Sequence, residues 1–199
     1  MKAVRVVTGR AVPLDRSDVD TDQIIPASWL KRVERTGFGK GLFAAWRDDR
    51  GFVLNDERFT GAKILLAGPN FGTGSSREHA VWAIMDYGFE AVVSPRFGDI
   101  FRNNSTKNGL VPVQVDEPTV RGLMAAVEAD PDLDLTVDVE RLVLAAPALG
   151  IEAPFPLDYP TKERFLEGLD DIALSLRHDA DIGRYEAGRP GFKPSVAPV

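Results

Sequence analysis

Residues 68–80 collect the groups in this chain best suited to hold an anion and move a proton. Gly68, Gly72 and Gly74 surround Thr73, and Ser75, Ser76 and Arg77 follow. The apolar run Ala62–Ala67 before them reads as a buried strand, and Val81–Tyr87 after them as an amphipathic helix. A helix start exposes unpaired backbone N–H groups and about half a positive charge, which together favour a bound anion. Arg77 adds a planar fork suited to a carboxylate. Gly72 and Gly74 permit positive φ or close backbone approach to a ligand. A serine hydroxyl in that field loses its proton more readily, because the same donors stabilise the alkoxide.

A plainer reading competes with this one. Ser75-x-x-Glu78 fits a capping box, with Ser75 as N-cap and Glu78 reaching back to its N–H. Arg77 is then a surface cation, and His79 makes a polar contact within its helix. Familiar phosphate and nucleophile motifs do not apply. Arg77 stands where a dinucleotide fingerprint needs its third glycine, no lysine follows the glycines as in a P-loop, and no glycine closes a nucleophile elbow.

Three segments carry a resemblance. Asn70–Ala80 is similar to the G-x-G-S-S-R-E-H-A signature of the aconitase superfamily. Asp18–Ala27 resembles D-T-D-x-I-I-P, and Phe97–Leu110 resembles F-x-x-I-F-x-x-N-x-x-K-x-G-L, both from the small-subunit family of the 3-isopropylmalate dehydratases. The three blocks stand in the family's order and spacing, and the likeness spans most of residues 5–177. It implies a three-layer β/β/α swivelling domain with a parallel β-α-β core and a second sheet. It implies a hydro-lyase subunit that interconverts 2- and 3-isopropylmalate in leucine biosynthesis by dehydration and rehydration through isopropylmaleate, and that acts only with a large subunit bearing a [4Fe–4S] cluster. Carried over by position, Ser75 is the catalytic base and Arg77 the substrate-carboxylate arginine. Ser76 and Thr73 complete the anion pocket, and Asp22 lies close to the serine unless it is only a turn or cap residue. Ser28–Arg32 matches the specificity loop. Leu30 contacts the isopropyl group, while Lys31 and Arg32 grip a carboxylate or lie on the surface. Asn104 matches the third block, where capping or packing explains it equally well, and Arg102 is a weaker candidate. The alternatives are a hydro-lyase for citraconate/citramalate or homoaconitate, and a non-catalytic anion-binding module.

Composition narrows the classes. The chain has 199 residues, 44% hydrophobic and 27% charged, which suits a globular protein with one sizeable core. A net charge of −6 offers no nucleic-acid surface. With no cysteine the chain holds no disulfide and no iron–sulfur cluster of its own, and with two histidines, His79 and His178, a zinc site is not expected. The longest uncharged apolar stretch, Leu142–Ile151, is well short of the ~20 residues that span a bilayer. Basic residues at Lys2, Arg5 and Arg10 interrupt any signal-peptide core. A cytoplasmic protein is the expectation, and the resemblance adds a small dicarboxylate substrate and a protein partner.

The supporting elements follow from pattern. Val4–Val7, Ile64–Ala67, Ala91–Ser94 and Val111–Val115 read as strands, and Ser76–Tyr87, Gly98–Lys107 and Glu117–Ala129 as helices, so the middle of the chain alternates β-α-β-α-β. Gly88 and Gly109 are placed as helix stops. Ala27–Val33 reads as a short helix, Arg35–Leu42 as a mobile glycine-rich segment, and Phe43–Trp46 and Phe52–Phe59 as irregular. Leu135–Val139, Arg141–Ala145 and Ile151–Phe155 suggest a hairpin-rich second sheet, and residues 161–177 a helical continuation. Residues 1–187 are expected to form one domain, with a helical segment at 161–187 and an extended or disordered tail at 188–199.

Overall fold

The computed structural model describes residues 1–31, 36–190 and 192–194. Its scaffold is a seven-stranded mixed sheet: β1 (Val6–Leu14), β2 (Ile64–Ala67), β3 (Ala91–Ser94), β4 (Val111–Gln114), β5 (Asp134–Asp138), β6 (Val143–Ala146) and β7 (Ile151–Pro154), in the order β4-β3-β2-β1-β5-β6-β7. The helices are α1 (Thr21–Ile24), α2 (Ala44–Arg47), α3 (Glu78–Tyr87), α4 (Asp99–Asn108), α5 (Glu117–Ala129), α6 (Tyr159–Glu167), α7 (Asp171–Leu176) and α8 (Asp179–Ala187).

The parallel half and the antiparallel half meet on β1. Its first five residues pair antiparallel with β5, from Val6 opposite Asp138 to Arg10 opposite Asp134. Its last four pair parallel with β2, from Ala11 opposite Ile64 to Leu14 opposite Ala67. The expected second sheet is therefore present as β5-β6-β7, joined to the first through one shared strand. β1 runs beyond the Val4–Val7 expectation because Gly9, Arg10 and Pro13 interrupt the apolar pattern. Proline costs a ladder hydrogen bond, so it belongs on an edge. Pro13 meets that rule because β5 pairs only as far as Arg10; Pro112 and Pro154 sit on the two outermost strands.

Every residue of β2 and β3 is buried, as expected of short parallel strands covered on both faces. α5 lies across β1, β2 and β3, while α3 packs on α4 and α4 on β4. Gly88 and Gly109 end α3 and α4 with φ of 121° and 98°. Asp116, Asp158 and Asp170 cap α5, α6 and α7 by accepting from the N–H of Thr119, Thr161 and Ala173.

Three expectations about the scaffold change. Phe43–Trp46 is partly the helix α2, and two 3₁₀ turns, Val53–Asn55 and Glu57–Phe59, occupy the other stretch thought irregular. The helix expected to continue from residue 161 to 177 is broken at Gly168, whose φ of +70° closes α6 before Asp170 starts α7. The glycine-rich segment is packed from Phe38 onward. Phe38 is buried and donates its N–H to Asp86 Oδ2 at 2.9 Å, and a Cβ on Gly41 would lie 2.5 Å from the Trp29 ring. These glycines give room to neighbours. Arg35 of that segment, Val33 of the short helix expected at 27–33 (a 3₁₀ turn at Ala27–Lys31), and residues 191 and 195–199 of the tail lie outside the described residues.

A candidate anion site at the carboxyl edge of the parallel strands

β1, β2 and β3 end together, and the loops that leave them are sewn to one another. The loop after β2 is the middle one. On one side Gly72 N–H donates to Val19 O at 2.7 Å, Asp18 N–H to Pro69 O at 2.9 Å, and Thr21 N–H to Thr73 O at 3.0 Å. On the other, Phe71 N–H donates to Arg96 O at 3.0 Å and Gly98 N–H to Phe71 O at 2.9 Å. Open α/β sheets bind ligands in this position, outside the carboxyl ends of their strands.

The loop needs its glycines. Gly72 has φ of +76°, and a Cβ there would stand 2.2 Å from Cγ of Phe101. Gly74 has φ of +87°, and a Cβ there would stand 3.4 Å from Asp20 Cβ, an ordinary contact. Between and after them the chain stays non-helical to Arg77, the N-cap residue of α3, with φ −134° and ψ 100°. This corrects the capping-box reading of Ser75. Ser75 is not the N-cap, α3 begins at Glu78, and no side chain caps it. Two longer-range bonds account for the change. Thr21, fully buried, donates its hydroxyl to Ser75 O at 2.9 Å, and Glu78 Oε1 accepts from Asn108 Nδ2 at 2.8 Å instead of turning back.

Ser75 and Ser76 are exposed and Thr73 is half-buried. The Arg77 side chain is 17% exposed and is paired with Asp22, whose own side chain is 53% exposed. The ion pair holds the guanidinium to Asp22 through one nitrogen, Nη1. Asp22 is not the cap of α1. Asp20 is: it accepts from Gln23 N–H at 2.8 Å, and Gln23 Oε1 accepts from Asp20 N–H at 2.9 Å. That leaves Asp22 available to Arg77.

Ser75, Ser76, Thr73, Arg77 and Asp22 thus come together. Leu30 is half-buried on the 3₁₀ turn Ala27–Lys31 and shares no described bond with them; Arg32 lies outside the described residues. His79 packs against two aromatic rings, with centroids 5.4 Å from Phe38 and 4.6 Å from Trp82. Arg102 donates to Pro156 O at 3.1 Å and ties α4 to the link before α6. The backbone carbonyl of Asn104 accepts from Asn108 Nδ2 at 2.9 Å. Sequence reasoning passed over Thr21 and Asp20. The D-x-x-Q spacing at 20–23 was a signal for the cap, but nothing local marked Thr21 as the residue that holds Ser75.

The arrangement offers an anion a half-buried guanidinium, a helix start without a side-chain cap, and two exposed serines just before it. A cavity of about 690 Å³ lies elsewhere, lined by Lys40, Arg47, Asp86 and Tyr87 at the other end of α3.

Residues 1–118 match the family model described as the aconitase C-terminal domain. The 3-isopropylmalate dehydratase small subunit of Frankia casuarinae is 62% identical over 198 residues, covering 99% of this chain and 100% of the relative. The protein of that name from Streptomyces coelicolor is 57% identical over 199 residues, covering 100% of both. A crystal structure of 3-isopropylmalate dehydratase from Methanocaldococcus jannaschii shares the fold, with TM-score 0.67 and 24% identity over 90% of this chain and 99% of that one.

Proposed function

The chain belongs to the aconitase C-terminal domain family, among the small subunits of 3-isopropylmalate dehydratase, and on that premise we propose that residues 73–77 with Asp22 form its half of the isopropylmalate site. The observation that carries the reading is the Arg77–Asp22 pair, joined in sequence to the exposed Ser75 and Ser76, with Ser75 O held by the Thr21 hydroxyl next to Asp22. Asp22 fixes the guanidinium, and the remaining donors of the fork receive a substrate carboxylate. Ser76 and Thr73 line the same anion site. Ser75 takes the proton from carbon during dehydration and returns one on rehydration. A serine does this only when its alkoxide is stabilised, and the start of α3 with Arg77 beside it supplies the positive field. Leu30 meets the isopropyl group.

With no cysteine in its sequence, this chain has no thiolates for an iron–sulfur cluster. In this reading the cluster is a [4Fe–4S] centre held by the large subunit. It supplies the Lewis acid for the departing hydroxyl. The large subunit also closes the exposed side of the site. The test is to co-purify this chain with its large subunit and assay 2-isopropylmalate. Conversion by the complex and by neither subunit alone is the expected result. Faster turnover of citramalate would move the substrate assignment, and failure to associate would overturn the reading.

A further inference from the structure

We propose that Asn108 is a positioning residue that keeps the Glu78 carboxylate out of the anion site; the inference rests on the assignment of Arg77 and Ser75 just made. Glu78 follows Arg77 directly and stands three residues from Ser75. Two local partners compete for its carboxylate: the Ser75 N–H, in a capping box, and the Arg77 guanidinium. Either choice would put a full negative charge where the substrate carboxylate has to bind. The structure gives Glu78 a third partner. Its Oε1 accepts from Asn108 Nδ2 at 2.8 Å, on the last turn of α4.

The Asn108 amide is held in one orientation. Its oxygen accepts from Trp82 Nε1 at 3.0 Å, and an indole nitrogen can only donate. The amide nitrogen must therefore face the other way. There it donates to Asn104 O at 2.9 Å as well as to Glu78, so both its hydrogens are used. Trp82 and Glu78 are both on α3, four residues apart and so on one side of the helix. One side chain of α4 thus grips α3 at two points and draws its first acidic residue toward α4. Arg77 is left with Asp22 as its described carboxylate partner.

The experiment is steady-state kinetics of the assembled enzyme with 2-isopropylmalate. Asn108→Ala frees Glu78 to compete for Arg77 and raises KM about three- to fivefold, the scale of one exposed charge pair, with kcat little changed. The rise is larger at low salt than at high. Glu78→Gln alone leaves KM at its wild-type value, and Glu78→Gln in the Asn108→Ala background restores it. Asn108→Asp keeps an acceptor for Trp82 and repels Glu78. It gives the same rise and the same rescue should the alanine variant fold poorly. An unchanged KM in both variants overturns the proposal, as does a rise that Glu78→Gln fails to relieve, which would mean that Asn108 only packs α3 on α4. A wild-type complex inert toward 2-isopropylmalate overturns the functional assignment and this inference with it.

Discussion

The starts of α1 and α3 lie against each other, joined by Thr21 N–H to Thr73 O and by the Thr21 hydroxyl to Ser75 O, yet they end differently. α1 is closed by a complete capping box between Asp20 and Gln23. α3 has the sequence for one, Ser75-x-x-Glu78, and does not form it. At α1 the acidic side chain is spent on its own backbone. At α3 it is drawn away by Asn108, and the backbone donors stay beside Arg77 and two exposed hydroxyls. The closed start is a structural part of the loop assembly, and the open one has the capacity to hold a ligand.

The comparison is most directly broken at Ser75. If the open start serves chemistry, Ser75→Ala lowers kcat of the complex by about 10²- to 10⁴-fold, the usual worth of a general base, with co-elution of the large subunit unchanged. Wild-type turnover in that variant would return Ser75 to a merely structural role. Next in size, Arg77→Lys keeps the charge and loses the fork, raising KM on the order of tenfold to a hundredfold. An unaltered KM would remove the carboxylate assignment.

Two glycines of the loop share a conformation and differ in surroundings. Gly72→Ala meets the Phe101 ring as well as an unfavourable φ, and should cost about 2–4 kcal/mol in urea denaturation. Gly74→Ala has 3.4 Å to its nearest neighbour, Asp20 Cβ, and should cost only the backbone term of about 1–2 kcal/mol. Asp20→Ala removes the cap that closes α1 and should cost about 1 kcal/mol while leaving KM unchanged. A KM effect as large as that of Arg77→Lys would show that the two starts are not distinct in function.

The smallest expected effect concerns the other closed starts. Backbone N–H groups of Thr119, Thr161 and Ala173 hold the carboxyls of Asp116, Asp158 and Asp170 below the usual carboxylate range. Their folded-state values are depressed, so the stability they contribute is present above the ordinary aspartate value of about 4 and is lost as pH falls through the depressed values. Helical circular dichroism followed downward from pH 5 should show fraying below about pH 4. The Asp158→Asn variant should show a weaker dependence.

Much of the scaffold was legible because its signals are local. Ile64–Ala67 and Ala91–Ser94 are apolar runs bounded by turn residues, and Gly88 and Gly109 mark helix ends by a backbone conformation few other residues accept. β1 was legible only at its start. Pro13 argues against a central strand unless it is known that β5 stops at Arg10, and that is a fact about pairing, not about the residues nearby. The site divides in the same way. Glycines, serines and an arginine ahead of an amphipathic run are enough to suggest a place for an anion, because glycine takes φ near +80° without steric cost and a guanidinium fork matches a carboxylate.

Determined by the order of residues alone, then, were the chemistry on offer and the alternation of strands and helices that would carry it. Tertiary structure decided how equivalent local options were resolved. Both Asp20-x-x-Gln23 and Ser75-x-x-Glu78 satisfy a capping rule, and both Asp20 and Asp22 could have capped α1 or faced Arg77. Asn108 took Glu78 from 30 residues away, and Arg77 took Asp22 from 55. A spacing rule describes only neighbours within one turn of helix. Which side chain a carboxylate finally meets depends on how α3 packs against α1 and α4.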